Sequence, residues 1–189
     1  AKLWNEQGQK TITQKLIQTG NTDISEDIEQ HREIMGMGWF AEDQSKLTMP
    51  EIFTYPASPH LATQIDGREI DFQKIADATQ QLAEKYDLVL LEGAGGLMVP
   101  LTTDLLTIDY IAEKKFPVIL VSSGRLGSIN HTLLSLEALK IRGLALYALA
   151  YNLNDESQDA LISQDTAAYL KSYLAQHFPK ALWIDIPVL

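Results

Sequence analysis

Three short stretches of this chain are apolar without a break, and each stops at a glycine or polar residue. Leu88-Val89-Leu90-Leu91 stops at Glu92-Gly93, Pro117-Val118-Ile119-Leu120-Val121 at Ser122-Ser123-Gly124, and the run over 144–151 at Asn152. A strand that is apolar on both sides needs cover on both faces, which is the signature of a parallel sheet. Segments of helical period separate these strands, at 71–86, 107–115, 130–141 and 165–177. In the first of them Phe72, Ile75, Ala76, Leu82, Ala83 and Tyr86 share a face opposite Lys74, Asp77, Gln81 and Glu84. Further strands are predicted at 11–17, running into the turn Thr19-Gly20-Asn21, and at 182–184. A short helix is predicted at 27–35, with Asp27 as its cap and Gln30 three residues on. The alternation gives the α/β class, a parallel sheet with helices on both faces.

The stretch 36–62 breaks the alternation and reads as a long excursion, with Ser58-Pro59-His60 as a turn inside it. Met35, Met37, Trp39 and Phe40 read as core filler. No repeat, low-complexity segment or linker interrupts the chain, so a single domain over 1–189 is expected.

Composition acts by exclusion. Twenty-five acidic against 15 basic side chains give a net charge of −10, which repels a phosphate backbone and argues against nucleic acid as a partner. No run approaches the ~18 apolar residues of a membrane-crossing helix, so no membrane partner is expected. The absence of cysteine removes disulfides, thiolate metal sites and cysteine nucleophiles. It is compatible with a cytoplasmic protein, which is the expectation here.

In open parallel sheets ligands bind where the strands end at their carboxyl side. The candidates gather there. Glu92, directly after its strand, is a carboxylate that can hold Mg²⁺, and Gly93-Ala94-Gly95-Gly96 allows a ligand to approach the backbone. The alternative is a tight turn with an exposed acid. Asp27 is either a second magnesium carboxylate or simply a helix cap. Lys15 either neutralises a developing anion or is a solvated edge lysine. Gly127-Ser128-Ile129-Asn130 precedes a helix, whose free N–H groups suit a carboxylate or phosphate, although capping by Ser128 or Asn130 accounts for the same residues. His31, His131 and His177 have no spacing with carboxylates that suggests zinc.

None of the 11 glycines is followed by lysine, so these residues contain no G-x-x-x-x-G-K-[ST] phosphate loop. Residues 1–7 read as the last two turns of a helix stopped by Gly8. A βαβ unit takes roughly 30 residues, and only its closing part is legible, so a first strand, a loop and a helix start are expected to precede it.

Taken together, Lys15-x-x-x-Thr19-Gly20, Asp27, Ser58-Pro59-His60, the run Val89-Leu-Leu-Glu-Gly-Ala-Gly-Gly-Leu-Met-Val-Pro100, Leu126-Gly-Ser-Ile-Asn-His131 and Ala150-Tyr-Asn152 resemble the dethiobiotin synthase family in order and spacing, over about 11–187. Glu-Gly-Ala-Gly-Gly by itself also suits related amidotransferase-type synthetases. The combination with Ser-Pro-His and Leu-Gly-x-Ile-Asn-His is far more specific. The resemblance implies a P-loop NTPase-like three-layer sandwich and an ATP-dependent cyclo-ligase of biotin biosynthesis. Such an enzyme closes the ureido ring of dethiobiotin from 7,8-diaminononanoate and CO₂, with Mg²⁺ as cofactor and ATP as co-substrate.

The resemblance also implies roles. Lys15 would stabilise a carbamate and the transferred phosphoryl group, and Thr19 and Ser58 would bond the amine or carbamate end. Asp27 and Glu92 would hold Mg²⁺, with Gly93, Ala94 and Gly95 beside the nucleotide phosphates. Asn152 would read adenine, joined by backbone around Ile186, Pro187 and Val188. In a homodimer, Gly127, Ser128 and Asn130 would receive the substrate carboxylate from the neighbouring subunit. Two positions depart from the family pattern: Leu16 stands where proline is usual, and Leu153 where an acid is frequent. Two other readings are another ATP-dependent synthetase on the same scaffold and a non-catalytic binding or dimerisation module. These 189 residues by themselves are expected to close the ring poorly, and an added N-terminal phosphate-loop unit to restore turnover.

Overall fold

The computed structural model describes residues 1–154 and 159–188. Its chain forms two compact units, Ala1–Thr107 and Ile108–Leu189.

The first unit opens with helix α1 (Lys2–Glu6), which ends where Gly8 adopts a left-handed φ of +86°. Strand β1 (Thr11–Lys15) follows and is buried along its whole length, although four of its five residues are polar. Their polar groups are satisfied inside the unit. Gln14 donates to the Leu47 carbonyl and accepts from Thr79, while Thr13 accepts from Arg32.

β1 pairs in parallel with β4 (Leu88–Glu92), from Thr11 opposite Leu88 to Lys15 opposite Glu92. On its other edge the Lys15 N–H donates to Thr48, and three residues on Gln18 donates to Glu51. Sequence reading predicts one strand over 11–17. Instead the path changes ladder there, and β2 (Gln18–Thr19) pairs in parallel with β3 (Ile52–Phe53). The excursion is therefore built structure. It contains α3 (Ala41–Gln44) and β3, and it ends in α4 (Pro59–Asp66). Ser58-Pro59-His60 is the start of that helix rather than a turn, with proline in the first turn, where its missing N–H costs nothing.

Helix α2 (Glu26–Met35) is capped by Ser25, whose hydroxyl oxygen accepts the Ile28 N–H at 3.2 Å. Asp27 is thus not the cap but the second residue of the helix. α2 ends at Gly36 in the left-handed region, and the chain turns outward. Met37 and Trp39 are consequently exposed rather than core, and Met49 fills the interior with Ile12, Ile17, Ile28, Phe53, Ile75 and Leu82. Helix α5 (Phe72–Ala83) is capped by Asp71 and buries Ile75, Ala78 and Leu82. It stops three residues short of the predicted end, so Tyr86 lies beyond it.

One buried ion pair ties this unit together. Arg32, 2% exposed, donates from Nε and Nη2 to the two oxygens of Asp43 at 2.9 and 2.7 Å, and from Nη1 to the Thr13 hydroxyl at 2.8 Å. Thr48 and the Phe40 N–H complete the shell of Asp43. Burial pushes the Asp43 carboxyl up, but these donors outweigh it and hold it below its usual range.

The second unit holds α6 (Thr107–Lys114) from its second residue on, and a three-stranded parallel sheet in the order β5 (Val118–Ser123), β6 (Leu146–Asn152), β7 (Leu182–Ile186). Its strands alternate with α7 (Ser128–Ile141) and α8 (Ala160–His177), the latter starting earlier than predicted because Asp159 caps it. Leu136, Leu149, Tyr151, Leu170 and Leu174 form the core, and Tyr151 stacks on Trp183 at 5.3 Å. The strand pairs are all parallel, and the described strands fall into three sheets, two of two strands and one of three. Strands β4 and β5 each have one ladder neighbour among the described residues. Accordingly β4 is only half-buried, and Val121 of β5 is 62% exposed.

Replacing Arg32 by leucine leaves Asp43 buried without its partner, and urea unfolding is expected to show a loss of about 3–5 kcal/mol. Removing both charges together, as Arg32→Met with Asp43→Leu, should cost much less.

Candidate active site

Lys15 is the last residue of β1 and Glu92 the last of β4, and their register sets them side by side. Only 6% of the Lys15 side chain is exposed. A buried ammonium requires counter-charge, and it has two. Lys15 Nζ pairs with Asp27 Oδ2 and lies 2.9 Å from Glu92 Oε1. The second oxygen of Glu92, Oε2, is 3.0 Å from His31 Nε2. The reading of Lys15 as a solvated edge residue is therefore excluded.

Helix α2 delivers two of these four groups. Asp27 and His31 are four residues apart, hence on one face of the helix. Two anchors set the helix on the strand ends. The Ser25 hydroxyl donates to buried Gln18 of β2 at 2.6 Å, and Arg32 locks the next turn into the core. Burial works against the charge of Glu92. The hydrogen bond from His31, then the charge and hydrogen bond of Lys15, outweigh it, and the carboxyl is pulled down to about 2.

The loop after Glu92 turns at Gly95, where φ is +81° and a Cβ would lie 2.9 Å from Val99 Cγ2. Only glycine fits. Gly20 is similar. Its φ is +83°, and a Cβ would lie 3.0 Å from that of Pro56, so the end of β2 runs against the segment leading to Ser58. Thr19, half-buried, is opposite Phe53 in the β2–β3 ladder. The Ser58 hydroxyl lies 3.0 Å from His60 Nδ1 at the start of α4. Lys15, Asp27 and Glu92 thus form one cluster, with Thr19 and Ser58 on the neighbouring β2–β3–α4 path.

Asp27 and Glu92 share one ammonium, so their oxygens are close enough to serve one cation. Among the described residues there is no group of three or more His, Cys, Asp and Glu side chains placed for a metal. That donor set suits Mg²⁺, which uses one or two protein carboxylates and fills its shell with water and phosphate.

The second unit has a cavity of about 300 Å³ at the carboxyl ends of β5 and β6, lined among others by Ser123, Arg125, Ser128, His131 and Asn152. Asn152 is in register with Ser123 on one side and Ile186 on the other, and the Leu153 N–H donates to the Ile186 carbonyl. Ile186 ends β7, with Pro187 and Val188 just beyond. Helix α7 begins at Ser128, two residues before the predicted start, with Gly127 as its cap at φ +92° and no side-chain cap bond. Neither Ser128 nor Asn130 caps it. Ser128 instead meets the Ser123 hydroxyl at 3.1 Å, and Asn130 is exposed in the first turn.

A family model described as an AAA domain matches residues 1–177. A Pasteurella multocida protein named ATP-dependent dethiobiotin synthetase BioD 2 is 49% identical over 97% of this chain and 85% of its own. A Chlorobaculum tepidum protein named ATP-dependent dethiobiotin synthetase BioD is 49% identical over 92% of this chain and 74% of its own. A Haemophilus influenzae BioD 2 protein is 50% identical over 88% and 87%.

The chain belongs to the dethiobiotin synthetase family. The matched span takes in the Lys15 cluster of the first unit and the cavity residues of the second. The parallel α/β architecture agrees with the P-loop NTPase-like class to which the family belongs. Sequence reading within this family missed His31, although its position four residues after Asp27 on a predicted helix was the available signal. It also missed Ser25, whose contact with Gln18 becomes visible only once β2 and α2 are packed.

Because the folded Glu92 carboxyl titrates below its unfolded value, its pairing contributes full stability above the ordinary glutamate pKa of about 4.3. That contribution is lost as pH falls from there through about 2. The stability gap between the native chain and Glu92→Gln, read from urea unfolding across pH, is expected to be greatest near neutrality and to close on acidification.

Proposed function

We propose that this chain closes the ureido ring of dethiobiotin from 7,8-diaminononanoate and CO₂ at the expense of ATP, as an ATP-dependent dethiobiotin synthetase. The observation that carries the reading is the Lys15 ammonium, 6% exposed and held between Asp27 and Glu92 at the carboxyl end of two parallel strands.

One amine of the substrate takes up CO₂ as a carbamate and gives up a proton. A carbamate oxygen attacks the γ-phosphorus of ATP, and ADP leaves. The second amine attacks the carbonyl carbon of the mixed anhydride, phosphate leaves, and the ring closes. No protein nucleophile is required. The work is positioning and neutralisation of charge.

Lys15 is a compact point charge on a flexible stem, suited to follow negative charge from the carbamate to the transferred phosphoryl group. Thr19 and Ser58 bond the amine and carbamate end. Asp27 and Glu92 hold Mg²⁺, which when bound neutralises phosphate oxygens. Gly93, Ala94 and Gly95, which carry no side chain larger than a methyl group, would let the nucleotide phosphates approach the backbone. In the second unit Asn152, with the backbone of Ile186, Pro187 and Val188, takes the adenine.

Gly127, Ser128 and Asn130 receive the substrate carboxylate from a neighbouring subunit of a homodimer. The exposed apolar face of α7 supports that association. Leu134 and Ile141, seven residues apart on one side of the helix, are 62% and 79% exposed, and Leu126 just before it is 87% exposed. Among the described residues no helix is long and apolar enough to cross a membrane, and the family's soluble substrates agree with a cytoplasmic setting.

Lys15→Met is expected to lower the rate of diamine-dependent phosphate release by roughly 10²–10³-fold relative to the parent. A rate within a few-fold of the parent would remove Lys15 from the chemistry. Light scattering should find a dimer for the parent and a monomer for Leu134→Asp with Ile141→Asp. A dimer in the double variant would place the interface elsewhere.

A further inference from the structure

We infer that His31 is a positioning residue for Glu92, fixing one carboxylate oxygen so that the other stays aligned beside Asp27. The inference rests on the reading of Asp27 and Glu92 as the pair that holds a divalent cation.

Glu92 needs such a partner. Its side chain is 47% exposed, and it is followed by Gly93-Ala94-Gly95-Gly96, which offer almost no side chain to pack against it. An unrestrained glutamate in that setting samples many rotamers, and ordering it on ligand binding costs entropy. Two groups hold it instead. Lys15 takes Oε1, the oxygen that shares its ammonium with Asp27, and His31 takes Oε2 at 3.0 Å.

The imidazole is itself held by a rigid element. His31 lies one helical turn beyond Asp27, so the second carboxylate and the group that orients the first come from the same face of α2. The next residue, Arg32, is 2% exposed and makes the bidentate pair with Asp43. The backbone at His31 therefore cannot rotate independently of the core.

The ring's own hydrogen bonds settle which nitrogen donates. His31 Nδ1 is buried and has no partner among the described residues. A proton there would be an unmet buried donor, whereas a proton on Nε2 is directed at a carboxylate. The neutral ring therefore carries its hydrogen on Nε2 and donates it to Glu92. That occupies the one nitrogen within reach of the cluster, so His31 orients a ligand and is not a ligand itself. Outer partners of this kind typically change metal affinity by about 10–100-fold when removed.

The test uses Mn²⁺ alone as the probe, followed by electron paramagnetic resonance, on the parent, His31→Leu and His31→Gln, with urea unfolding of each. His31→Leu is expected to weaken Mn²⁺ binding at least about tenfold. His31→Gln, whose amide N–H replaces the ring N–H, should restore most of it. If His31→Leu does not fold, His31→Asn takes its place, since its shorter side chain keeps the polarity but does not reach Glu92. Long-range ¹⁵N NMR on the metal-free parent at alkaline pH should show the Nε2–H tautomer.

Parent-like affinity in His31→Leu overturns the proposal, as does an Nδ1–H tautomer. Loss of affinity that glutamine fails to restore also overturns it, by making His31 a ligand. A parent that binds no Mn²⁺, with Glu92→Gln equally silent, would count against the cation reading of Asp27 and Glu92. The tautomer measurement then still decides whether His31 orients Glu92.

Discussion

Arg32 reaches from α2 into the interior and meets both oxygens of Asp43 through two hydrogen bonds, with neither side chain more than 3% exposed. The same guanidinium bonds the Thr13 hydroxyl of β1. Three stretches far apart in sequence are joined by one planar group, a geometry that lysine could not reproduce. A buried pair of this kind adds little net stability over a well-packed apolar core, but breaking it on one side is expensive. Its main effect is to fix position. With α2 locked against β1, the adjacent turn has little freedom in where it places Asp27 and His31.

That constraint explains the composition of the cluster. Parallel register sets Lys15 of β1 against Glu92 of β4, and α2 adds a carboxylate to the ammonium and an imidazole to the carboxylate. Each member restrains another. Lys15 is buried and needs both acids; Glu92 is at a glycine-rich loop and needs both donors. The cluster is held by its own contacts in advance of any ligand, which is the preorganised state that the proposed reaction would draw on. The second unit holds its polar residues in the same way, with Asn152 fixed in a ladder between Ser123 and Ile186.

Most of this was legible in the sequence where one local signal sufficed. The continuous apolar runs gave parallel strands, and Lys15, Asp27 and Glu92 could be named from their positions at predicted element ends. Most of what escaped depends on pairing and packing that a local pattern does not carry. The segment 36–62 reads as an excursion because β3 has only two residues, too few for a period, and is a strand only through its pairing with β2. Asp27 reads as a cap by residue type, but Ser25 takes that place, its oxygen accepting the Ile28 N–H while its hydroxyl is held by Gln18 of β2. Met37 and Trp39 read as core by residue type, but the left-handed turn at Gly36 sends them outward. Val121 reads as buried on both faces, while its strand has a single ladder neighbour among the described residues.

In the proposed reaction Lys15 marks where a carbamate forms and is held. Carbon-13 NMR of the chain with 7,8-diaminononanoate and ¹³C-labelled CO₂, without nucleotide, addresses this step alone. A carbamate resonance bound to the protein is predicted for the parent, and its loss for Lys15→Met with the fold intact by circular dichroism. An equally strong bound carbamate in Lys15→Met would contradict the account.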